Sequence, residues 1–223
     1  FKKKFWQNMI KEEIIKRILS SIILIPTVLF FIVKGSFLFN FFIFICFFIA
    51  TYEWLNLSKN NLLKFFGTIF IAISFYTIFK IRNEFDRDYL HLLLVVIICV
   101  STDIGGYLFG NIFKGPKLTK ISPKKTYSGV MGSFLLSLIF SNIFLNYSSN
   151  VKYFDFTKEM FFFIVFVSLV SQIGDLIISY FKRKSKMKDT GSIIPGHGGI
   201  LDRIDGLIFA FPISYVLFLN FNF

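Results

Sequence analysis

The sequence is poor in charge and in cysteine. Charged residues make up 17% of its 223 residues, hydrophobic residues make up 55%, and the mean hydropathy is +0.67. A soluble domain carries about 25% charged residues, so this chain has too little polar material to cover a water-facing surface. The shortage excludes a soluble globular enzyme and a disordered protein, and two cysteines are too few for a disulfide scaffold. We therefore expect an all-α integral membrane protein, because an isolated strand cannot satisfy its backbone in lipid.

Neither the cysteines nor the net charge indicates a function by itself. Cys46 and Cys99 both lie inside apolar runs, which is typical of buried, reduced thiols. The formal net charge of +12 would suggest nucleic-acid binding in a soluble protein. In a membrane protein, such an excess usually comes from cytoplasmic loops. We therefore expect the lipid bilayer, and no nucleic acid, as a partner.

Apolar runs predict a polytopic bundle of about seven transmembrane helices. A span needs about 20 mostly apolar residues, within a range of roughly 17–25. The first and third runs are short and must borrow flanking residues. The predicted spans are Ile18–Val33, Ser36–Tyr52, Phe65–Phe79, Tyr89–Phe113, Gly129–Tyr147, Met160–Tyr180 and Leu207–Phe223. We expect a single membrane domain over 1–223, with N-terminal spans in 1–88 and the chemistry-bearing spans and loops in 89–223.

The basic residues divide unevenly between the two sides of this bundle. With seven spans, nineteen of the 25 Lys and Arg residues fall on the side of the N-terminus, and six fall on the other side. Cytoplasmic loops carry the excess of Lys and Arg in membrane proteins. We therefore expect the N-terminus and the loops on its side to be cytoplasmic, and the C-terminus to lie on the opposite side.

Two acidic residues, Asp103 and Asp175, fall inside predicted spans. A carboxylate at the bilayer centre costs roughly 2.5–3.5 kcal/mol, so each is expected to face a protein interior or a water-filled cavity. Asp103 is followed by Gly105-Gly106, which we expect to break or thin the helix and admit water. The alternative is that each carboxylate only hydrogen-bonds a neighbouring helix.

The segment from Ser179 to Asp205 combines cations, glycines and acids. Asp202 and Asp205 lie three residues apart at the start of the last span, and this spacing puts both carboxylates on one helix face. Hard cations such as Mg²⁺ take carboxylate and phosphate oxygens. Basic side chains neutralise phosphate charge, and Gly198-Gly199 lets backbone N–H groups approach it. The candidate phosphate-binding cations are Lys182, Arg183, Lys188 and Arg203. The segment predicts a metal–polyphosphate site.

Each of these pieces also has a simpler explanation. The cations Lys184 and Lys186 can fix topology or contact anionic lipid, a lone histidine such as His197 is usually structural, and Asp202 with Arg203 can cap and pair at a helix start. A second loop, 117–129, carries four lysines and lies on the same predicted side as the segment 179–205. The convergence of two basic loops and several acids on one face favours a functional site.

The same segment resembles the signature of the phosphatidate cytidylyltransferases, or CDP-diacylglycerol synthases. The pattern covers 27 residues, of which more than ten are specified. The matching positions are Ser179, Lys182, Arg183, Lys188, Asp189, Gly191, Pro195, His197, Gly198, Gly199, Asp202, Arg203 and Asp205. Two further stretches fit: Asp103 with Tyr107 and Gly110, and the loop 121–126. The resemblance is strong from Asp103 to Asp205 and rests mainly on hydropathy before that.

The resemblance implies an enzyme of the bacterial inner membrane that converts CTP and phosphatidic acid to CDP-diacylglycerol and pyrophosphate on the cytoplasmic side. It also implies Mg²⁺, with K⁺ as a candidate second ion, and a homodimer. The implied metal ligands are Asp175, Asp202 and Asp205, with Asp103 as a further candidate. The implied catalytic residues are Asp175, Lys188, Asp189, Asp202, Arg203 and Asp205. The implied substrate-binding residues are Lys124, Lys125, Ser179, Lys182, Arg183, His197, Gly198 and Gly199.

Two positions depart from the pattern, and two other functions remain open. Ser128 stands where relatives carry Glu or Gln, and Gly132-Ser133 stands where they carry Gly-Gly.

A CTP-dependent polyprenol or phytol kinase would share the metal and CTP chemistry but pass the γ-phosphoryl group to an alcohol. An anion transporter would show related halves and coupling residues near the mid-bilayer, and the sequence has neither. The CDP-alcohol phosphotransferases need a spaced Asp–Gly…Asp…Asp motif, which the sequence also lacks.

Overall fold

The described part of the chain is helical, and its two longest connections are 114–126 and 185–200. The computed structural model describes residues 19–84, 89–119, 122, 125–149, 156–196 and 198–220. Within these ranges the helices are α1 (Leu19–Lys34), α2 (Ser36–Leu57), α3 (Asn61–Glu84), α4 (Leu90–Phe113), α5 (Tyr127–Ser149), α6 (Lys158–Lys184), α7 (Leu201–Ile204) and α8 (Leu207–Asn220). Lys124, His197 and the outer ends of the first and last predicted spans lie outside the described residues.

Helices α2 to α6 are long and apolar enough to cross a membrane, and α1 and α8 are shorter apolar helices. The expectation of an all-helical, polytopic membrane protein is therefore confirmed, while the count of seven spans stays a prediction. The third apolar run does borrow flanking residues, because α3 extends to 24 residues. Large apolar side chains such as Phe37, Ile112 and Phe162 point away from the bundle and are exposed, as lipid-facing residues are. Cys46 and Cys99 are free thiols, as predicted, but only Cys99 is buried, whereas Cys46 is partly exposed.

Glycines bring α4 and α5 into close contact. Helix α4 continues without interruption through Gly105 and Gly106, so the expectation that this pair breaks the helix is wrong. A Cβ atom on Gly105 would lie 2.3 Å from the carbonyl oxygen of Gly132, and one on Gly129 would lie 2.7 Å from the carbonyl oxygen of Gly106. The glycines are needed because the two backbones touch, as small residues allow in membrane helix pairs.

Buried hydroxyl groups join α4 to α5 and to α6. Ser133 Oγ on α5 donates to the carbonyl oxygen of Thr102 on α4 at 2.7 Å. The Thr102 and Ser168 hydroxyls form a second buried hydrogen bond at 2.7 Å, which links α4 to α6. Because these polar groups have few alternative partners in an apolar interior, the bonds favour one arrangement of α4, α5 and α6. The serine of the Gly132-Ser133 departure therefore has a packing role.

Helix α8 lies against α3 and α6. Ser74 Oγ on α3 donates to the carbonyl oxygen of Ile208 at 2.6 Å. Gly174 on α6 leaves room for Phe209, whose ring would lie 2.6 Å from a Cβ atom at that glycine. These contacts fix the start of α8, and with it Asp205, beside the middle of α6 and next to Asp175.

Candidate active site

A cavity of about 280 Å³, here called the polar cavity because charged, amide and hydroxyl side chains line it, lies between α4, α5, α6 and the loop that precedes α5. Asp103 of α4 and Asp175 of α6 line it, and Lys125 reaches it from the loop. Its other lining residues are Thr102, Gly106, Tyr107, Ser122, Thr126, Gly129, Val130, Ser133 and Gln172. The prediction that the two intramembrane acids face a cavity is confirmed.

Lys125 and Asp175 form an ion pair inside this cavity. Lys125 Nζ lies 2.5 Å from Asp175 Oδ2, and each side chain is 26% exposed. Ser179 Oγ, one helical turn further along α6, donates to Asp175 Oδ1 at 3.2 Å. The two ends of the loop are joined, because the N–H of Leu118 donates to the carbonyl oxygen of Lys125 at 2.8 Å. Three residues predicted to act together are thus in contact.

Two polar residues, one that lines the cavity and one in the adjacent turn, were not anticipated in these roles. Gln172 lines the cavity, and among the described residues its Nε2 has no hydrogen-bond partner. Gln172 lies three residues before Asp175 on α6, and this spacing places both side chains on the same helix face. The position of the acid could therefore have indicated Gln172. Ser128, where relatives carry Glu or Gln, donates to the carbonyl oxygen of Lys114 at 3.2 Å. Ser128 therefore fastens the end of α4 to the start of α5.

Asp205 is half-buried, and the charges of both intramembrane acids act on it. Burial raises the pKa of Asp205 well above the ordinary aspartate value, and the charges of Asp175 and Asp103 raise it further. The charge of Lys182 and the N–H of Gly206, which donates to Asp205 Oδ1 at 2.9 Å, act in the opposite direction. The three carboxylates repel one another, so the site attracts a cation.

Asp202 has a different environment, although it is only three residues from Asp205. Lys182 Nζ lies 2.8 Å from Asp202 Oδ1, and the two side chains are 11% and 4% exposed. Asp202 Oδ2 accepts from the N–H of Thr190 at 2.7 Å and from the N–H of Gly199 at 3.0 Å, and it lies 3.0 Å from the Thr190 hydroxyl. Burial by itself raises the pKa of Asp202, but these bonds outweigh burial and lower it. Asp202 is a satisfied carboxylate.

The middle of the signature is a tight turn. Ile194 and Gly198 exchange backbone hydrogen bonds of 2.9 and 3.1 Å, and Gly198 adopts a φ of +86°, which favours glycine. A Cβ atom there would also lie 2.8 Å from Asp202 Oδ2. The N–H of Gly199, which we expected to approach phosphate, donates to Asp202 instead. Three further cations of the signature are exposed, and so is Asp189. The cations are Arg183, Lys188 and Arg203.

Glu53 is a site-adjacent carboxylate that sequence reasoning missed. It lies on α2, is 2% exposed, and accepts hydrogen bonds from the signature loop at Thr190, Ile200 and Leu201. No local signal links these residues, because 137 positions or more separate them along the chain. Only its place near the end of an apolar run, where a carboxylate needs a partner, could have singled it out.

The donor set has the chemistry of a Mg²⁺ site. Among the described residues, no group of three or more His, Cys, Asp or Glu side chains is close enough to hold an ion by itself. Mg²⁺ does not require such a group, since it usually binds one or two carboxylates, waters and substrate phosphates. Asp175 and Asp205 influence each other electrostatically, and a lysine ammonium already contacts Asp175. The carboxylates therefore fit a hard divalent cation that arrives with a phosphate ligand.

Comparison with known proteins identifies the family of this chain. The model of the cytidylyltransferase family matches residues 15–80 and 61–221. The chain is 36% identical over 214 residues to the phosphatidate cytidylyltransferase of Rickettsia typhi, and the match covers 92% of each chain. The chain belongs to the cytidylyltransferase family. The resemblance inferred from the signature is confirmed.

Two relatives of the cytidylyltransferase family from other bacteria match a shorter part of the chain. The phosphatidate cytidylyltransferase of Haemophilus influenzae is 38% identical over 170 residues, which are 72% of this chain and 59% of that protein. The phosphatidate cytidylyltransferase of Bacillus subtilis is 34% identical over 158 residues, which are 70% and 57%. The match with the Rickettsia protein, by contrast, includes the N-terminal helices, where the signature alone predicted little.

Proposed function

We propose that this protein transfers the cytidylyl group of CTP to phosphatidate, giving CDP-diacylglycerol and pyrophosphate. The observation that carries the proposal is the convergence of Asp103, Asp175 and Lys125 on one polar cavity, beside the signature loop of a cytidylyltransferase-family chain. An apolar bundle with such a cavity suits a reaction in which one substrate stays in the bilayer and the other comes from water.

The reaction needs positioning and charge neutralisation more than a protein nucleophile. A phosphate oxygen of phosphatidate attacks the α-phosphorus of CTP, and the bond from that phosphorus to the oxygen of the departing pyrophosphate breaks. Lys125 and Lys182 each hold an ammonium group against a carboxylate, where it can turn to a phosphate oxygen. The amide nitrogen of Gln172, for which the described residues offer no partner, supplies another donor in the cavity. Lys188, Arg183 and Arg203 stay predicted phosphate ligands.

Bound Mg²⁺ would neutralise the triphosphate and the developing negative charge. We infer that Asp175 and Asp205 hold it, with Asp103 close by, because these carboxylates lack the full set of protein donors that Asp202 has. A ligand role for Asp202 stays a prediction and requires Lys182 to leave its Oδ1 atom. K⁺, a homodimer and the roles of Lys124 and His197 also stay predictions.

We infer seven spans, with the N-terminus and the active site on the cytoplasmic side of a bacterial inner membrane. The uneven distribution of Lys and Arg supports this topology, and α1 and α8 supply the first and last apolar helices. Reporter tags at each terminus test it. We expect the N-terminal tag to be cytoplasmic and the C-terminal tag to be outside; both tags on one side would contradict seven spans.

The decisive assay uses purified protein in detergent with phosphatidic acid, Mg²⁺ and CTP labelled in turn at the α- and γ-phosphate. We expect the α-label to enter a lipid, pyrophosphate to be released, and EDTA to stop the reaction. A γ-label in a lipid product with CDP left behind would indicate the kinase instead. No transfer from either position would contradict both enzymes and favour transport.

A further inference from the structure

Glu53 connects the N-terminal helices to both ends of the signature loop. Its Oε2 accepts from the hydroxyl of Thr190 at 3.0 Å and from the N–H of Leu201 at 2.8 Å, and its Oε1 accepts from the N–H of Ile200 at 3.0 Å. A buried carboxylate with three donors is strongly bound to them, because the alternative is an unsatisfied charge in an apolar bundle. The loop is therefore fastened to α2 at two points ten residues apart.

Two signature glycines leave the space that the Glu53 carboxylate occupies. A Cβ atom on Gly191 would lie 2.7 Å from Glu53 Oε1, and one on Gly199 would lie 2.3 Å from Glu53 Oε2. Neither glycine has a positive φ, so backbone freedom does not explain them. The close approach of Glu53 does.

The contacts of Glu53 continue to the proposed active site. The Thr190 hydroxyl lies 3.0 Å from Glu53 Oε2 and 3.0 Å from Asp202 Oδ2. Asp202 in turn holds Lys182. Glu53 also accepts from the first residue of α7, the short helix that Asp205 follows directly. The placement of Lys182 and Asp205 thus depends on where Glu53 holds the loop.

We propose that Glu53 is a positioning residue for cytidylyl transfer, which holds the loop 190–201 so that Lys182 and Asp205 face the substrates. This inference rests on the proposed function, because the transfer reaction is what the positioning serves. Glu53 acts through Thr190, Ile200 and Leu201 and does not itself touch a substrate.

The test compares Glu53→Gln with Glu84→Gln, a matched change at the other end of the bundle, where the carboxylate is exposed and bonded to Lys80 and Tyr215. In Glu53→Gln the side-chain NH₂ group faces the hydrogen-bond donors of Thr190, Ile200 and Leu201 and cannot accept from them. We therefore expect kcat to fall roughly 10- to 100-fold while KM for CTP changes little. Glu84→Gln should keep wild-type kinetics. Wild-type kinetics in Glu53→Gln would overturn the proposal.

Limited trypsin digestion provides a readout that does not need activity. The segment 182–203 contains several cleavage sites. Trypsin should cut a released loop in Glu53→Gln roughly tenfold faster or more. The thermal unfolding temperature of the helices should equal that of Glu84→Gln. If Glu53→Gln does not fold, Thr190→Val tests the same link from the loop side and Thr190→Ser should restore it. If Glu53→Gln is cleaved faster than the wild type but the wild type transfers no cytidylyl group, Glu53 still positions the loop and the proposed function is wrong. Unchanged cleavage would overturn the positioning.

A separate observation identifies a site for the lipid tail. A second cavity, of about 190 Å³, lies among α1, α2, α3, α4, α8 and the signature loop. Its walls expose only apolar atoms, and its lining includes Val28, Ile43, Cys46, Phe75 and Phe211. Such a cavity accepts a hydrocarbon chain and offers no partner for a polar group.

Arg203 borders the apolar cavity and, through its charge, acts on the acidic site, although the cavity walls expose none of its polar atoms. Arg203 also lines the apolar cavity, and its charge acts on Asp103, which lines the polar cavity. An anionic lipid with its chain in the apolar cavity would therefore carry its phosphate towards Arg203 and the carboxylate cluster. A zwitterionic or neutral lipid gains less from this cation.

We infer that the apolar cavity holds one acyl chain of phosphatidate during the proposed transfer reaction, on which this inference also rests. The test is Ile43→Trp, which fills the cavity, against Phe44→Trp at the next residue, which is 58% exposed on the outer face. We expect Ile43→Trp to raise KM for dioleoyl phosphatidate roughly tenfold, the scale on which a filled apolar site discriminates. KM for dihexanoyl phosphatidate and for CTP should stay within about twofold.

Binding of labelled dioleoyl phosphatidate without CTP separates the two hypotheses. Weaker binding in Ile43→Trp than in Phe44→Trp would uphold the acyl site even if the wild type transferred nothing, and the proposed function would then fall alone. Equal losses for the long-chain and short-chain lipids, or no change in Ile43→Trp, would overturn the acyl site. If Ile43→Trp does not fold, Val28→Trp fills the same cavity from α1.

Discussion

The carboxylates of this protein form two groups with opposite surroundings. Glu53 and Asp202 are buried and surrounded by hydrogen-bond donors. Asp103, Asp175 and Asp205 act on one another electrostatically, and the described residues give them fewer hydrogen-bond donors, with Lys125 in contact with Asp175. The first group has what a structural carboxylate needs, whereas the second still lacks positive charge. The difference indicates that the first group builds the site and the second group acts in it.

The largest expected effect comes from the second group. Asp205→Asn should reduce cytidylyl transfer roughly 100- to 1,000-fold, because it removes a negative charge that would hold the proposed Mg²⁺ and, through that ion, the triphosphate. The thermal unfolding temperature of Asp205→Asn should not fall, since the change relieves repulsion from Asp175 and Asp103. Transfer from α-labelled CTP measures the activity, and a thermal melt in detergent measures the unfolding temperature. Retained activity would remove Asp205 from the metal site.

Asp202→Asn should lose both activity and stability, and so distinguish the two groups. Its amide leaves the Lys182 ammonium without an anion at an 11% exposed position. Leaving such groups unsatisfied costs about 1–3 kcal/mol, so the melting temperature should fall by roughly 5 °C. Transfer should fall roughly tenfold, as the loop shifts. A melting temperature equal to that of the wild type would place Asp202 with the acting carboxylates.

Lys125→Gln tests the lysine contact of the second group. We expect KM for CTP or for phosphatidate to rise roughly tenfold, because a charge-assisted phosphate contact is lost. Stability should change by less than about 1 kcal/mol, since both partners of the Lys125–Asp175 pair are partly exposed. Lys117→Gln is the matched control, an exposed lysine of the same loop, and should keep wild-type KM values. Equal effects of the two changes would mean that only the charge of the loop matters.

Much of the fold and part of the site could be predicted from the sequence. Apolar runs located every long helix, because length and hydropathy decide what crosses a bilayer. The signature identified the loop, and the cost of a buried charge predicted that Asp103 and Asp175 face a cavity. These features depend on local composition and spacing, and the structure reproduces them.

The rest depends on contacts between distant segments. The i, i+3 spacing treats Asp202 and Asp205 as a pair, yet their partners differ, because Thr190 and Lys182 approach one of them and the α4 and α6 acids approach the other. Gly105 is a glycine because α5 touches it, which the sequence of α4 alone cannot indicate. Glu53 had no predicted partner for the same reason.

The smallest expected effect tests whether Glu53 acts specifically. Ser185, an unspecified position of the signature, donates from Oγ to the carbonyl oxygen of Leu57 at 2.5 Å and so joins the end of α6 to the end of α2. Ser185→Ala should lower the melting temperature by about 2–4 °C, as the loss of one hydrogen bond does, and leave transfer within about twofold. Both changes loosen α2, but only Glu53→Gln releases the signature loop. If Ser185→Ala reduced transfer as much as Glu53→Gln, general attachment of α2 would explain both results, and the two groups of carboxylates would no longer differ in function.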